Sequence, residues 1–418
     1  MPGKQLYANI RTGSISRLGK EYYDTEKECW CNPDGSKISR EELSMGPEAR
    51  ALNTALRLGA EVGPKLEAVS KKEAEAEKEE PKQEQSTQEQ PEKAIEDVPH
   101  PSEPLQPPLP VALIFPGQGS QYVKMLSAVK DIPAVKGMLA KATMILGFDL
   151  LELCLKGPES KLEMTKYCQP AMYIGGLAGV ERLKVDRLEK VERCQAVAGL
   201  SLGEYVALTV AGVFDFETGM SVVKLRGEVM QEASEAVKQS TLSVAGLSRD
   251  RLSELCAESI EKPGEVCAIA TYLFPNGFSV AGHAQCVEKL MAKAQKTEGC
   301  LQAKLLKQLG AFHTSLMEVA RLKVLKKLLS VEHKMKPPTC DIYMNVTGQR
   351  VLKGTPPREI IPLLADQITH CVQWAPSMRQ MINEGVSEFY ECGPMKQLKA
   401  MMKRIDPGAF KLTSTIDV

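Results

Sequence analysis

Ala196-Val197-Ala198-Gly199-Leu200-Ser201-Leu202-Gly203-Glu204-Tyr205 is the stretch that decides the fold. A short apolar run leads into G-x-S-x-G, and a helix-compatible segment, Glu204 to Ala211, follows. A strand, a sharp turn carrying a serine, then a helix is the sequence form of a nucleophile elbow. Glycines flank the serine because neighbouring backbone packs too close for a Cβ. The helix would aim its N-terminal N–H groups and positive dipole end at Ser201.

A serine nucleophile needs a base, and the chain has only five histidines. His100 lies in a proline-rich polar stretch, and Glu332-His333-Lys334 reads as a solvated helix end. His283 reads equally as a helix cap, and His370, near Trp374, as a packed structural residue. His313, in Gly310-Ala311-Phe312-His313, follows a small-residue turn and opens an amphipathic helix with Leu316, Val319, Ala320 and Val324. That junction can present an imidazole to a cleft. Phe115-Pro116-Gly117-Gln118-Gly119-Ser120-Gln121 follows the strand-like Val111–Ile114, which is a way to bring backbone N–H groups into a site. The lysine and hydroxyl of a phosphate loop are missing, so an oxyanion-binding role fits better than a nucleotide. Arg226, on a helix beginning near Glu217, reads from position alone as a surface arginine.

Taken in order, these pieces resemble the malonyl-CoA:acyl-carrier-protein transacylases, the free-standing acyltransferases of fatty-acid synthesis. The resemblance rests on the Phe115–Gln121 loop, Gln169-Pro170, Gly199–Tyr205, Lys224-Leu225-Arg226-Gly227, Ala311-Phe312-His313, Val372-Gln373-Trp374 and Glu391-Cys392-Gly393-Pro394. It covers about three quarters of the chain, from Leu109 to Val418. The wording at Gly199-Leu200-Ser201 and Gly310–His313 is similar to plant and algal plastid members. The resemblance implies that Ser201 attacks the thioester carbonyl of malonyl-CoA and that His313 takes its proton. It implies that the backbone N–H groups of Gln118 and Leu202 hold the oxyanion, and that the backbone carbonyl of Gln373 orients His313. It further implies that Arg226 grips the malonyl carboxylate, a task suited to a planar guanidinium fork, and that Phe312 leaves little room for an α-methyl group. No cofactor or metal is implied beyond the substrates malonyl-CoA and phosphopantetheinylated acyl carrier protein. Many bacterial members carry histidine in place of Leu200, and this chain departs again at Thr271 and His370-Cys371.

Organisation agrees with this reading. Residues 71–110 hold eight prolines, no glycine and no aromatic residue among dense Glu and Lys. Such a segment buries too little apolar area to offset ordering entropy. The expected plan is an extension of unassigned role over 1–70, a disordered linker over 71–108 and an acyltransferase domain over 109–418. The fold class is α/β, a hydrolase-like parallel-sheet subdomain with an inserted ferredoxin-like subdomain. The insert spans 241–306, where strands at Leu242–Leu247, Val266–Tyr272, Phe278–Ala281 and Gln302–Leu306 and helices at Arg249–Ile260 and Ala284–Gln295 give the β-α-β-β-α-β order.

Lysine and arginine balance aspartate and glutamate at 53 each, so nothing points to nucleic acid. No apolar run is long enough to span a membrane. Twelve cysteines without a paired C-x-x-C pattern read as free thiols in a reducing compartment. The first twenty residues hold Lys4, Arg11, Arg17 and Lys20, three hydroxylated residues and no acid. This fits an organellar transit peptide, giving a plastid or mitochondrion as the expected compartment and the cytoplasm otherwise. Two other classes use the same residues. A serine hydrolase would pass its acyl group to water, and a non-catalytic carrier-protein scaffold would need neither Ser201 nor His313.

Overall fold

The computed structural model describes residues 110–306 and 310–418, together with two short strands, β1 (Tyr22–Asp24) and β2 (Cys29–Cys31). The chain divides into two units, Met1–Pro101 and Ser102–Val418. In the first, β1 and β2 pair antiparallel. The linker expected over 71–108 lies outside the described residues.

The second unit holds two sheets. The larger contains β3 (Val111–Phe115), β4 (Cys194–Gly199), β9 (Asp341–Tyr343), β10 (Arg350–Val351), β11 (Glu388–Cys392) and β12 (Thr413–Ile416), in the order β10-β9-β4-β3-β11-β12. Every pairing is parallel except β10 on β9. The central strand β3 reads Val-Ala-Leu-Ile-Phe and is buried throughout, as a strand covered on both faces should be. Crossover helices make those parallel pairings possible: α1 (Thr165–Glu192), α2 (Gly203–Val210) and α3 (Phe216–Ala236) fall between β3 and β9, and α3 packs along α1.

The smaller sheet contains β5 (Gln239–Ala245), β6 (Cys267–Phe274), β7 (Gly277–His283) and β8 (Gln302–Leu305), ordered β6-β7-β5-β8 and antiparallel throughout. With α4 (Arg249–Ala257) and α5 (Ala284–Ala294) this is the ferredoxin-like arrangement, begun at Gln239 rather than at residue 241. Leu242, Val244 and Val280 on the sheet meet Leu252, Leu255, Val287 and Leu290 on the helices. Full burial of each such side chain is worth roughly 1.5–3 kcal/mol. A strand-like bridge from Thr271 to Val372 joins this sheet to the segment between α7 (Pro357–Asp366) and α8 (Trp374–Asn383), which follow α6 (Glu318–Val331) in the chain, with Tyr272 N donating to Val372 O at 2.8 Å. The insert is thereby fixed against the elements that carry the site.

Candidate active site

The elbow is built by close backbone approach. β4 ends at Gly199, the chain turns through Leu200 and Ser201, and α2 starts at Gly203. A Cβ on Gly203 would run into the Phe115 carbonyl, and one on Gly199 into the Gly203 backbone. Ser201 sits at φ +53°, a left-handed conformation that costs a non-glycine residue about 1–2 kcal/mol. Its surroundings hold it there. Ser201 N donates to Asn345 Oδ1 at 2.7 Å, Asn345 Nδ2 donates to Gly199 O at 2.7 Å, and Gln367 Nε2 donates to Ser201 O at 2.8 Å.

His313, also left-handed at φ +63°, is 5% exposed. Its Nε2 lies 2.9 Å from Ser201 Oγ, and its Nδ1 lies 2.6 Å from the backbone carbonyl of Gln367. A carbonyl only accepts, so Nδ1 carries the proton and the Nε2 lone pair faces the serine hydroxyl. Burial holds the imidazole pKa down at about 4 and the Arg226 cation adds to this, against the Gln367 hydrogen bond. The ring is therefore a neutral base at neutral pH.

The carbonyl that orients His313 belongs to Gln367, which corrects the expectation placed on Gln373. Both glutamines lie in one short connection between helices. Gln367 caps the C-terminus of α7 (Pro357–Asp366), where the last carbonyls lack partners within the helix. Gln373 is the N-cap of α8, and its carbonyl already accepts from Ser377 N and Ser377 Oγ.

Arg226 is 1% exposed on α3, so it is no surface arginine. Its Nη2 donates to Ser201 Oγ at 3.2 Å and to Gln367 Oε1 at 2.8 Å, and its guanidinium stands 5.1 Å from the Tyr205 ring centre. Its Nε has no hydrogen-bond partner among the described residues. Burial lowers the guanidinium's pKa, which Tyr205 and Glu204 partly oppose.

The Phe115–Gln121 loop lies against the elbow, since a Cβ on Gly117 would strike the Leu200 carbonyl. Gln118 Nε2 reaches Thr165 Oγ1 at 3.2 Å. The backbone N–H groups of Gln118 and Leu202 donate to nothing among the described residues. The remaining described histidines lie elsewhere. His283 Nδ1 accepts from Val266 N, His370 Nδ1 meets the Asp366 carbonyl at the end of α7, and His333 is exposed. His100 falls outside the described residues. Thr271 Oγ1 is engaged with Ser279 Oγ, within the smaller sheet.

Sequence reasoning missed Gln367, Asn345 and Glu204. The Glu204 carboxylate is fully buried, accepting from Asn345 N at 2.6 Å on one oxygen and from Gln367 Nε2 on the other. Its place in the first turn after the elbow glycine, followed by the apolar Val206-Ala207-Leu208 of a helix buried from Gly203 to Leu208, was the available signal.

Serine, neutral imidazole, buried cation and a backbone-lined loop can together perform acyl transfer from an activated carbonyl. Comparison with known proteins agrees. The acyl transferase domain family matches residues 112–405. The mouse mitochondrial malonyl-CoA-acyl carrier protein transacylase is 39% identical over 318 residues, covering 73% of this chain and 81% of the relative. The malonyl CoA-acyl carrier protein transacylase of Escherichia coli K12 is 34% identical over 295 residues, covering 70% and 92%. Among solved structures, the malonyl-CoA:acyl carrier protein transacylase of Xanthomonas oryzae pv. oryzae superposes with a TM-score of 0.67 at 30% identity, covering 74% of this chain and 94% of its own. With its elbow, its insert and its matched length, the chain belongs to the malonyl-CoA:acyl-carrier-protein transacylase family of acyl transferases.

Proposed function

We infer that the protein moves a malonyl group from malonyl-CoA to the phosphopantetheine thiol of acyl carrier protein through an ester on Ser201, supplying fatty-acid chain elongation. His313 Nε2 takes the hydroxyl proton as Ser201 Oγ attacks the thioester carbonyl. The resulting oxyanion is held by the N–H groups of Gln118 and Leu202; loss of one such donor typically costs about 10²–10³ in rate. As the tetrahedral intermediate collapses, His313 returns the proton to the departing CoA sulfur. The second half runs in reverse, with the pantetheine thiol as nucleophile. Nucleophile, base and donors are all the chain's own, so this chemistry asks for no cofactor.

The observation that carries this reading is the buried guanidinium 3.2 Å from the nucleophilic oxygen. In a malonyl ester the free carboxylate is only a carbonyl carbon and a methylene away from Oγ. A buried cation at that range suits a dicarboxylic acyl group and is wasted on an uncharged one. The serine hydrolase alternative has no use for it. The names of the animal relatives favour a mitochondrion; the plastid resemblance of the elbow wording finds no counterpart in them. No helix among the described residues is long and apolar enough to cross a membrane.

Intact mass after mixing with malonyl-CoA tests the reading. A malonyl adduct should persist in buffer and vanish when phosphopantetheinylated carrier is added, with malonyl appearing on the carrier. Rapid loss of the adduct to water, with no gain on the carrier, would favour the hydrolase.

A further inference from the structure

We propose that Glu204 is the positioning residue of this site, the single acceptor from which nucleophile, base and arginine are all set in place. The proposal rests on the acyl-transfer reading above. Glu204 touches no reacting atom. Each of its oxygens takes a different half of the site. One accepts from Asn345 N, and the Asn345 side chain in turn clamps Ser201 N and Gly199 O, the two ends of the strained turn. The other accepts from Gln367 Nε2, which also donates to Ser201 O. The same glutamine presents Oε1 to Arg226 and its backbone carbonyl to His313.

Geometry makes the carboxylate, rather than any buried polar group, the requirement. Both neighbours facing it are donors, so both its oxygens must accept. An amide of the same shape would turn an N–H₂ toward one of them and leave two donors facing each other. Loss of either contact frees a side chain that fixes two or three other groups, so the error spreads to Ser201, His313 and Arg226 together. Burial works against the ionised form, raising the Glu204 pKa to about 8 in spite of the two donated hydrogen bonds and the nearby Arg226, so both oxygens are free to accept only as the pH rises through 8. A carboxyl kept at such expense beside a nucleophile points to a role in aligning it.

The test is Glu204→Gln in the full chain, with three readouts: melting temperature, single-turnover acylation by malonyl-CoA, and acylation of Ser201 by p-nitrophenyl acetate. The expected result is a folded protein whose acylation constant at saturating malonyl-CoA falls about 10- to 100-fold, the scale of one lost charged hydrogen bond, with KM changed less than about threefold. The ester reaction, which needs Ser201 and His313 but no arginine, should fall as well. A folded Glu204→Gln protein that acylates within threefold of wild type, or whose defect lies in KM alone, would overturn the proposal. If Glu204→Gln does not fold, Glu204→Asp draws the carboxylate back by one methylene from Asn345 N and Gln367 Nε2 while leaving both of those residues in place. A slow, folded Glu204→Asp supports the proposal and a fast one overturns it. Wild type that reacts with the ester but takes no malonyl would sink the functional reading alone, and the ester rates would still decide the role of Glu204.

Discussion

Replacement of Arg226 by alanine separates substrate reading from structural support. The guanidinium is 1% exposed and makes two hydrogen bonds through Nη2, one to the nucleophile and one to Gln367. When the malonyl carboxylate is present, the pair is shielded from water, and removing one partner of such a pair costs about 2–5 kcal/mol. That corresponds to a loss of ~30-fold to several thousand-fold in malonyl transfer. Acetyl-CoA brings no carboxylate. Its slow transfer loses the Nη2 contacts to Ser201 Oγ and Gln367 Oε1 but is relieved of a buried cation that no acyl carboxylate meets, so it should fall little or rise. Selectivity for malonyl over acetyl should then nearly vanish while Ser201 stays reactive. The assay is quenched acyl-enzyme formation, followed by mass, with both donors on wild type and Arg226→Ala. A parallel fall in both rates would refute the argument, since it would mean that Arg226 supports the site's shape and reads nothing in the substrate.

The pH dependence should carry the signature of a desolvated base. With His313 held at about 4 by burial, the imidazole limb of the pH–rate profile for acylation should lie near pH 4; an imidazole limb at 6.5 would show a hydrated ring. Because the unfolded imidazole takes up its proton near 6.5, the stability His313 contributes is complete above that pH and lost as pH drops through 4. Glu204 has the opposite sign: raised from 4.5 to about 8, its contribution is full below 4.5 and lost as pH rises through 8, which titration of the melting temperature in Glu204→Gln would expose. We also propose that the acyltransferase domain stands alone, so a chain starting at Gln106 should melt cooperatively and transfer malonyl; an insoluble or inactive product beside an active full-length chain would show that the upstream unit is needed.

The sequence made the elbow and the insert legible for different reasons. Gly199 and Gly203 are demanded by backbone collisions that no other residue avoids, so the turn is written locally. The ferredoxin-like order follows from alternating strand and helix periods; its elements stand in the expected order, with ends that shift by one to three residues, the first strand starting at Gln239 rather than Leu242. His313 was separable from four other histidines because the small-residue turn before it opens onto a helix. What could not be read was the second layer. Gln367 and Gln373 are six residues apart and identical in type; which carbonyl is available depends on one ending a helix and the other starting one. Asn345 reaches the elbow from 144 residues away, a contact that no local pattern encodes. Arg226 was ambiguous on its own helix, because its burial comes from what packs over it: Tyr205, Gln367 and the elbow itself.

The most direct test of the account is the site of malonyl attachment. Protein quenched after brief exposure to malonyl-CoA, then digested and sequenced by mass, should carry one malonyl group, on Ser201. Ser201→Ala should carry none, and His313→Ala should acquire it orders of magnitude more slowly, because the two residues act as a unit. A malonyl group found on another residue, or an undiminished adduct on Ser201→Ala, would contradict the account at its centre.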